Sequence, residues 1–234
     1  MPLISIVTPT YNRRRFIPSL IRCMEQQTYP KDRMEWIVLD DGQDPVGDLF
    51  RQCSLNVRYI YSKEKLTIGE KRNKLNELAG GDIIVAIDDD DFYFPERVMS
   101  AVTALNSNPT IDLAGSSEVY MYFTRSKEIY KAGPYFQGHA TNGTMVWRKR
   151  YALSRAYDET VVFAEEKSFL EEYKNPLVQL NPMECMLVIC HSDNTFDKTN
   201  LLKDSANPFI TKTKLSLNDF IKDTQLREFY KTFS

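Results

Sequence analysis

Short apolar runs alternate with amphipathic stretches along the first half of the chain. Four of these runs are typical of strands buried on both faces of a parallel sheet, and they lie at 3–7, 36–39, 57–61 and 83–87. Between them, apolar residues recur at helical spacing, and we expect helices over 16–24, 68–79 and 95–105. The alternation predicts βαβ units, and therefore an α/β fold around a mainly parallel sheet flanked by helices.

The second half of the chain has a less regular pattern. It predicts a long strand at 111–122, a shorter strand at 141–147 and a short helix at 164–173. Two apolar strands are predicted at 177–180 and 185–190, and a helical tail at 215–233. The sequence contains no internal repeat and no low-complexity linker. We therefore expect one domain with two unequal lobes, of which the second is smaller and mixed in strand direction.

Composition indicates a water-soluble globular protein and narrows the range of partners. The 234 residues are 42% hydrophobic and 26% charged, and the formal net charge of -2 argues against a nucleic-acid partner. No apolar segment reaches the roughly 18 residues that a membrane span needs, and residues 1–10 lack the pattern of a signal peptide. We predict a cytoplasmic protein, leave peripheral membrane association open, and make no prediction of oligomeric state.

The four cysteines are Cys23, Cys53, Cys185 and Cys190, which is too sparse for a disulfide scaffold. His191 directly follows Cys190 and raises the alternative of a zinc site, but no two cysteines have CxxC spacing. The pattern favours buried free thiols, which behave as small apolar side chains.

Polar and acidic residues follow three of the predicted strands. They lie at 8–12, at Asp40-Asp41-Gly42 and at the four aspartates 88–91. Because ligands bind beyond the carboxyl ends of the strands in open α/β sheets, these positions are candidates for a binding site. The Asp40-Asp41-Gly42 segment is also a turn signal, so its carboxylates either form an Asx turn or contact a base or ribose.

Four consecutive aspartates directly after a buried strand repel one another, which either raises their pKa values or requires a cation. Carboxylate oxygens are the preferred ligands of hard divalent ions, so the run favours Mn²⁺ or Mg²⁺ over a solvated acidic turn. Asp88 and Asp90 alternate in sequence, which allows both carboxylates to share one side of an extended segment. A metal there would also hold substrate phosphates.

Four motifs together resemble the family 2 glycosyltransferases, which have the Rossmann-like GT-A fold. They are IVTPTYNR at 6–13, VLDDG at 38–42, GEKRN at 69–73, and GDIIVAIDDDD at 81–91 followed by Pro95. The resemblance is strong over about 1–110, weaker over 110–195 and absent beyond. It implies a nucleotide-sugar-binding half at 1–110, an acceptor-binding half at 111–195 and a C-terminal helical tail at 196–234.

The resemblance also implies roles for individual residues of the first half. The nucleotide-sugar site would contain Thr8, Pro9, Tyr11, Asn12, Asp40, Asp41, Arg72, Asn73, Asp88 and Asp89. Asp41 would contact the base, while Arg72 and Asn73 would lie near the diphosphate or sugar of the donor. Asp88 to Asp90 would form the DxD element, with Asp88 and Asp90 as metal ligands and Asp90 the stronger one. Two alternatives stay open: simple packing for Tyr11 and a solvated helix charge for Arg72.

Members of the family usually carry a Glu-Asp pair at the start of a helix, and its second carboxylate is the catalytic base. The matching pair here is Glu165-Glu166, so the longer Glu166 replaces the usual aspartate. The resemblance implies that Glu166 is the base, with Glu165 on the acceptor side. A helix N-terminus would keep Glu166 ionised. The alternatives are that Glu165 is the base, or that neither is and they are solvated acids in a first helical turn.

Two histidines are further candidates. His191 follows the apolar strand 185–190, and the resemblance implies that it completes the metal site or contacts the diphosphate. His139 precedes a glycine-containing turn that resembles the loop contacting the acceptor. A structural hydrogen bond is the alternative for His191, and an ordinary loop position is the alternative for His139.

The resemblance implies an inverting transfer of sugar from a nucleoside-diphosphate sugar, with UDP expected, to a hydroxyl of a glycan or other acceptor. One alternative is a nucleotidyltransferase that makes nucleotide-sugars, but segment 8–12 lacks the glycine that its phosphate loop would contain. A phosphatase is weaker, since Phe92 stands where Thr or Val is expected. The third alternative is a non-catalytic nucleotide-sugar-binding protein, which would need no base.

Overall fold

A computed structural model describes residues 1–162, 164–194, 196–203 and 207–233. Within these ranges the strands form a seven-stranded sheet, in the order β10-β6-β9-β4-β1-β2-β3, and a five-stranded sheet, in the order β12-β8-β7-β11-β5. The strands are β1 (Ile4–Thr10), β2 (Met34–Asp40), β3 (Asn56–Tyr61), β4 (Ile83–Ala86), β5 (Phe92–Tyr93), β6 (Leu113–Gly115), β7 (Val119–Phe123), β8 (Glu128–Ala132), β9 (Val146–Arg148), β10 (Val178–Gln179), β11 (Met186–Cys190) and β12 (Ile210–Lys212).

Seven α-helices lie within the described ranges and pack around the two sheets. They are α1 (Ile17–Glu25), α2 (Ile68–Leu78), α3 (Arg97–Ser107), α4 (Lys149–Ala152), α5 (Glu166–Phe169), α6 (Leu217–Phe220) and α7 (Thr224–Thr232). The first three confirm the predicted helices. Helix α2 begins with a capping box in which Thr67 accepts from the backbone of Glu70 and Glu70 accepts from that of Thr67, which satisfies two free amides.

The parallel centre of the large sheet brings the ends of its strands together. β1 pairs with β2 so that Thr10 lies opposite Asp40, and β4 pairs with β1 from Ile4 onward. Every residue of β1 and β4 is buried, as expected for strands covered by helices on both faces. The three polar segments predicted to share one edge of the sheet therefore do so.

The two halves of the chain share the large sheet. Strand β9 inserts antiparallel between β4 and β6, while β10 pairs parallel with β6. The sheet is therefore mixed, with its parallel pairs concentrated in the first half, and the α/β fold class is confirmed. The smaller sheet is also mixed, because β7 runs parallel to β11 and antiparallel to β8.

The single long strand predicted over 111–122 is wrong. The structure has two strands, β6 and β7, in different sheets. Side chains divert the backbone between them: Ser116 N donates to Thr144 Oγ1 at 2.8 Å, and Ser117 N donates to Gln179 Oε1 at 2.8 Å. These bonds satisfy backbone amides that would otherwise require a strand partner.

Three other predictions of the second half need correction. The strand predicted at 141–147 is a 3₁₀ turn at Asn142–Thr144 followed by the short β9, and the helix predicted at 164–173 is the four-residue α5. The predicted helical tail is interrupted between α6 and α7, because Asp223 caps α7 by accepting from two of its first amides. Part of the tail, at 204–206 and 234, lies outside the described residues.

No helix in the described ranges is long and apolar enough to cross a membrane. The four cysteine thiols are free; Cys23, Cys185 and Cys190 are buried, and Cys53 is half-buried.

Candidate active site

The acid run, residues 88–91, leaves β4 at the edge of the sheet where β1 and β2 also end. Its last member, Asp91, has a structural role. Its Oδ1 accepts from Ile189 N in β11 at 2.8 Å, and its carbonyl accepts from the Tyr230 hydroxyl at 3.1 Å. Burial, followed by the charge of Asp90, raises the pKa of Asp91 well above its usual value. Asp91 thus connects the run to β11 and to α7.

Asp90 contacts His191, which follows β11. Asp90 Oδ2 lies 3.1 Å from His191 Nε2 and 3.3 Å from Asn194 Nδ2. Burial alone would raise the pKa of Asp90, but the hydrogen bond from His191 and the charges of Lys198 and Arg13 lower it below its usual value. His191 Nδ1 lies 3.2 Å from Asp193 N, a contact that orients the ring with Nε2 directed at Asp90.

Arg13 lies against the middle of the acid run. Its Nε is 3.6 Å from Asp89 Oδ1, and its Nη2 is 3.6 Å from Asp90 Oδ2. Burial and the charge of Asp90 together raise the pKa of Asp89 to about 7, although Arg13 acts in the opposite direction. Asp89 is therefore only partly ionised at neutral pH unless a further cation lies nearby.

Arg72 on α2 connects the acid run with the predicted base segment. Its Nε donates to Glu165 Oε1 at 2.8 Å, and its Nη2 donates to Asp88 Oδ1 at 3.1 Å. Asn142, in the amide orientation that satisfies both neighbours, accepts from Arg72 Nη1 at 2.7 Å and donates to Tyr157. Arg72 is buried, so its guanidinium is a fixed bridge with paired charges, and the alternative of a solvated helix charge does not hold.

Glu166 is the first residue of α5 and is half-buried. Burial and the neighbouring charge of Glu165 raise its pKa to about 7. This differs from the expectation that a helix N-terminus would keep Glu166 ionised. A four-residue helix has little macrodipole, so burial outweighs it. Since Arg72 pairs with Glu165, Glu166 is the carboxylate of the two that is available to a substrate.

The residues predicted to bind the nucleotide differ in exposure: Asn12 is exposed, Tyr11 is half-exposed and Asp41 is buried. The Tyr11 ring lies beneath Lys65, with Nζ 4.5 Å from the ring centroid, and is half-exposed. Asp41 is buried: its Oδ1 accepts from Lys71 Nζ at 2.7 Å, and its Oδ2 accepts from Leu66 N at 2.7 Å. Asn12 is exposed, and its side chain accepts from Gln43 N at 2.7 Å.

Three predicted donor residues have side chains that serve the fold. Thr8 is fully buried and accepts from Trp36 Nε1 at 2.9 Å, inside the core. Asp40 is also fully buried and accepts from Gly42 N, Val46 N and the Tyr59 hydroxyl, which is the Asx-turn alternative. Pro9 is buried within β1. We therefore do not include these three side chains among the proposed donor contacts.

Asn73 holds two parts of the fold together. Its Nδ2 donates to Tyr157 O at 3.0 Å and to Glu159 Oε1 at 2.9 Å, while its Oδ1 accepts from Tyr157 N at 2.8 Å. These bonds fix the segment before α5 to α2. The contact to the diphosphate or sugar that was predicted for Asn73 stays a prediction.

Several residues of the site were not identified from sequence. They are Arg13, Lys71, Asn142, Tyr157 and Asn194. The signal for Arg13 and Lys71 was available, since both lie within the motifs at 6–13 and 69–73. Asn142, Tyr157 and Asn194 come from irregular segments of the second half, where no periodicity predicted their approach.

In the described part of the chain, no group of three or more His, Cys, Asp or Glu side chains is arranged to hold a metal ion. Asp90 and His191 nevertheless supply a carboxylate and an imidazole that point at each other. Mg²⁺ sites that also bind substrate phosphates use one or two carboxylates from the protein, so this donor set fits such an ion. Asp88 points towards Arg72 instead, which does not favour it as a ligand.

A cavity of about 380 Å³ lies beside α2 and the end of β3, lined by Leu39, Ile60, Tyr61, Ser62, Leu66, Lys74, Glu77 and Leu78. It is separate from the acid run. The side chains with perturbed pKa values and paired charges lie at the run, so we place the active site there.

Comparison with known proteins agrees with this geometry. The family model described as glycosyl transferase family 2 matches residues 5–170. An uncharacterised glycosyltransferase of Methanocaldococcus jannaschii is 26% identical over 189 residues, which cover 72% of this chain and 63% of the relative. The chain spans between 37% and 66% of the lengths of three curated relatives.

Two solved structures have the same fold. The structure of Staphylococcus aureus TarS 1-349 with UDP-GlcNAc matches 82% of this chain and 60% of its own, with a TM-score of 0.66 and 19% identity. The mannosyltransferase PcManGT of Pyrobaculum calidifontis, in complex with GDP-Man and Mn²⁺, matches 82% and 58%, with a TM-score of 0.65 and 15% identity. Because the family model matches well over half of the chain, the chain belongs to glycosyl transferase family 2.

Proposed function

We propose that the chain is an inverting glycosyltransferase that moves a sugar from a nucleoside-diphosphate sugar, with UDP the expected nucleotide, to an acceptor hydroxyl. One observation carries the proposal: Arg72 bonds to both Glu165 and Asp88. This bridge fixes the segment that bears Glu166 beside the end of β4. A candidate base and the candidate donor carboxylates are thereby brought together from segments that are distant in sequence.

Glu166 is proposed as the general base. Its carboxylate would take the proton of the acceptor hydroxyl, and that oxygen would attack the anomeric carbon from the side opposite the departing diphosphate. One displacement inverts the anomeric centre. A base whose pKa is about 7 suits this role, because at neutral pH it combines a substantial ionised fraction with high proton affinity.

The donor would lie between the ends of β1, β2 and β4. We propose that the exposed face of Tyr11 carries the base, with Asp41 and its partner Lys71 at the edge of the ring. Arg13 lies by the acid run, where it would help to neutralise the diphosphate. TarS has been solved with UDP-GlcNAc, which supports a nucleotide-sugar in this fold.

Asp90 and His191 are proposed to hold Mn²⁺ or Mg²⁺. The ion, when bound, stabilises the charge that develops on the leaving diphosphate. PcManGT, which has the same fold, has been solved with GDP-Man and Mn²⁺. In this chain, Asn194 contacts both residues of the pair and orients Asp90, while Asp193 N fixes the His191 ring.

The test is a panel of UDP- and GDP-sugars, incubated with a mixture of sugar acceptors, with and without Mn²⁺. We expect release of nucleoside diphosphate that depends on acceptor and falls strongly in Glu166→Ala while donor binding persists. Release of pyrophosphate from a nucleotide and a sugar phosphate would instead identify a nucleotidyltransferase. Donor binding without turnover in the unmodified protein would identify a binding protein, and either result would overturn the proposal.

A further inference from the structure

Five aromatic side chains form a continuous cluster in the second half of the chain, which we call the aromatic platform: Tyr135, Phe136, His139, Tyr173 and Phe209. The His139 ring lies 4.7 Å from that of Tyr135, 5.6 Å from Phe136 and 5.2 Å from Tyr173. Phe136 meets Tyr173 edge-on at 5.2 Å, and Tyr135 lies 5.0 Å from Phe209. The rings therefore contact one another across three separate segments.

The platform is exposed where apolar rings are usually buried. Phe136 is 52% exposed and Phe209 is 41% exposed, although their neighbours in the cluster are half-buried. His139 Nδ1 is buried and has no hydrogen-bond partner among the described residues. Contiguous exposed aromatic surface is typical of a binding surface.

The loop that carries three of these rings is held firmly. Gln179 Nε2 donates to Gln137 O at 2.8 Å and to His139 O at 2.9 Å, and Gly133 N donates to Phe209 O at 2.8 Å. A Cβ on Gly138 would lie 2.2 Å from Tyr173 O, so the loop passes directly against the backbone of the Tyr173 segment. The platform is therefore preorganised.

The platform is uncharged. Residues 132–147 contain no Asp, Glu, Lys or Arg, in a chain that is 26% charged. Burial lowers the pKa of His139, so its imidazole is neutral at physiological pH. Two basic side chains of the neighbouring segments are paired: Lys131 with Glu118 at 3.0 Å and Lys167 with Glu172 at 2.9 Å. The loop at 132–147 therefore offers an anionic ligand no cation of its own.

The platform adjoins the proposed base. Tyr173 lies seven residues after Glu166, and the chain between them folds back on α5, because Glu172 N donates to Lys167 O at 2.9 Å. Burial and the charges of Glu166 and Glu172 raise the pKa of Tyr173 to about 12. A base must approach the acceptor hydroxyl to about 3 Å, so the rest of the acceptor must lie on surfaces next to Glu166. Tyr173 and Phe136 present such a surface.

We propose that the aromatic platform is the acceptor subsite and that it takes an uncharged pyranose ring, stacked by its C–H face on Phe136 and Tyr173. The inference rests on the proposed function, because it uses Glu166 to define where the acceptor lies. A pyranose has an apolar face and a polar rim. The Tyr173 hydroxyl and the exposed side chain of Gln137, which follows Phe136 in the chain, would supply hydrogen bonds to that rim.

A direct test uses saturation-transfer NMR on the full chain with methyl glucoside, methyl mannoside and methyl N-acetylglucosaminide as neutral probes. Glucuronic acid and glycerol phosphate serve as anionic probes, and a short-chain prenol serves as a lipid probe. The variants are Phe136→Ala, the aromatic replacement Phe136→Tyr, and Tyr61→Ala. Tyr61 is a matched control, since it is 42% exposed but lines the separate cavity beside α2.

We expect at least one neutral glycoside to bind the unmodified chain, and to bind Phe136→Ala at least about tenfold more weakly. Phe136→Tyr and Tyr61→Ala should retain binding. Equal binding to Phe136→Ala, no binding of neutral glycosides, or stronger binding of an anionic or lipid probe would overturn the inference. Because no donor is present, failure of sugar transfer would affect the proposed function without changing this result.

Discussion

His191 Nε2 lies 3.1 Å from Asp90 Oδ2, although the two residues are 101 positions apart in the chain. The contact exists because β11 pairs with β5, which directly follows the acid run. Phe16 and Phe233 both pack against the imidazole, with centroid distances of 4.7 and 5.1 Å, and against each other at 4.6 Å. The ring is therefore held in place by its neighbours before any ligand binds, as a preorganised metal ligand would be.

The first prediction concerns divalent metal. Asp90→Asn and His191→Gln should each weaken Mn²⁺ binding by roughly tenfold or more, because each removes a candidate ligand. Free Mn²⁺, measured by electron paramagnetic resonance in the presence of UDP, checks this, and EDTA should suppress sugar transfer. Asp193→Asn is the control, as its exposed carboxylate pairs with Arg15 rather than with His191. Unchanged Mn²⁺ affinity in both variants would contradict the proposed site.

The second prediction concerns the base. Glu166→Gln should lower kcat by about 100- to 10,000-fold, since the amide keeps the shape but accepts no proton. Binding of the nucleotide-sugar, measured by calorimetry, should not change. Glu171→Gln is a matched control, because Glu171 follows the same helix but is exposed and pairs with Arg155. If both variants retain full activity, the base lies elsewhere.

The third prediction concerns pH. Glu166 is active when ionised and its pKa is raised to about 7 by burial and by Glu165, so kcat/KM should fall as the pH drops below about 7. Glu165→Gln removes the neighbouring negative charge, which should lower the pKa of Glu166 and move this acid limb to lower pH. A pH–rate profile of both proteins measures the shift. A limb that moves upward or does not move would contradict the arrangement.

The fourth prediction concerns stability. Arg72→Met should destabilise the fold by roughly 3–5 kcal/mol, because it leaves Glu165 and Asp88 without their cation. Glu165→Gln should cost less, because Arg72 keeps its bond to Asp88. The double variant should lose less than the sum, by an interaction energy of about 0.5–3 kcal/mol. Urea unfolding measures all three. Strict additivity would show that the two side chains do not act as a pair.

The fifth prediction concerns α7. Phe233→Ala should weaken Mn²⁺ binding, because the Phe233 ring packs against His191. Phe229→Ala removes a ring of the same size from α7, where it packs on Phe16, Tyr230 and Phe233 rather than on His191. Both variants should lose about 2–4 kcal/mol of stability. A loss of metal affinity in both, or in neither, would contradict a specific role for Phe233 in positioning His191.

The sequence predicted the framework well where local patterns are strong. The three long helices and the strands at the centre of the large sheet agree with it, because their apolar periodicity is local. The position of the acid run directly after a buried strand also agrees with it. The pattern did not show which polar side chains face the core and which face the pocket. Thr8 and Asp40 belong to strands buried on both faces, so their sequences do not alternate between apolar and polar residues.

Contacts between distant segments could not be predicted. The bridge from Arg72 to Glu165 joins residues 93 positions apart, and nothing in either segment signals the other. The long strand predicted at 111–122 failed for a related reason, since Thr144 and Gln179, far along the chain, redirect it. These features depend on tertiary packing between segments that are far apart in the sequence, which local patterns do not contain.

Strand β4 ends in the acid run, yet the strand that covers its outer edge is β9, whose residues come more than fifty positions later. A polypeptide that stops at residue 110 would leave that edge bare, with a row of unpaired backbone groups on four apolar residues. We expect such a half-length product to associate with itself instead of binding nucleotide. A fragment that ends where the strong resemblance ends, at about residue 110, is therefore not expected to fold as an independent domain.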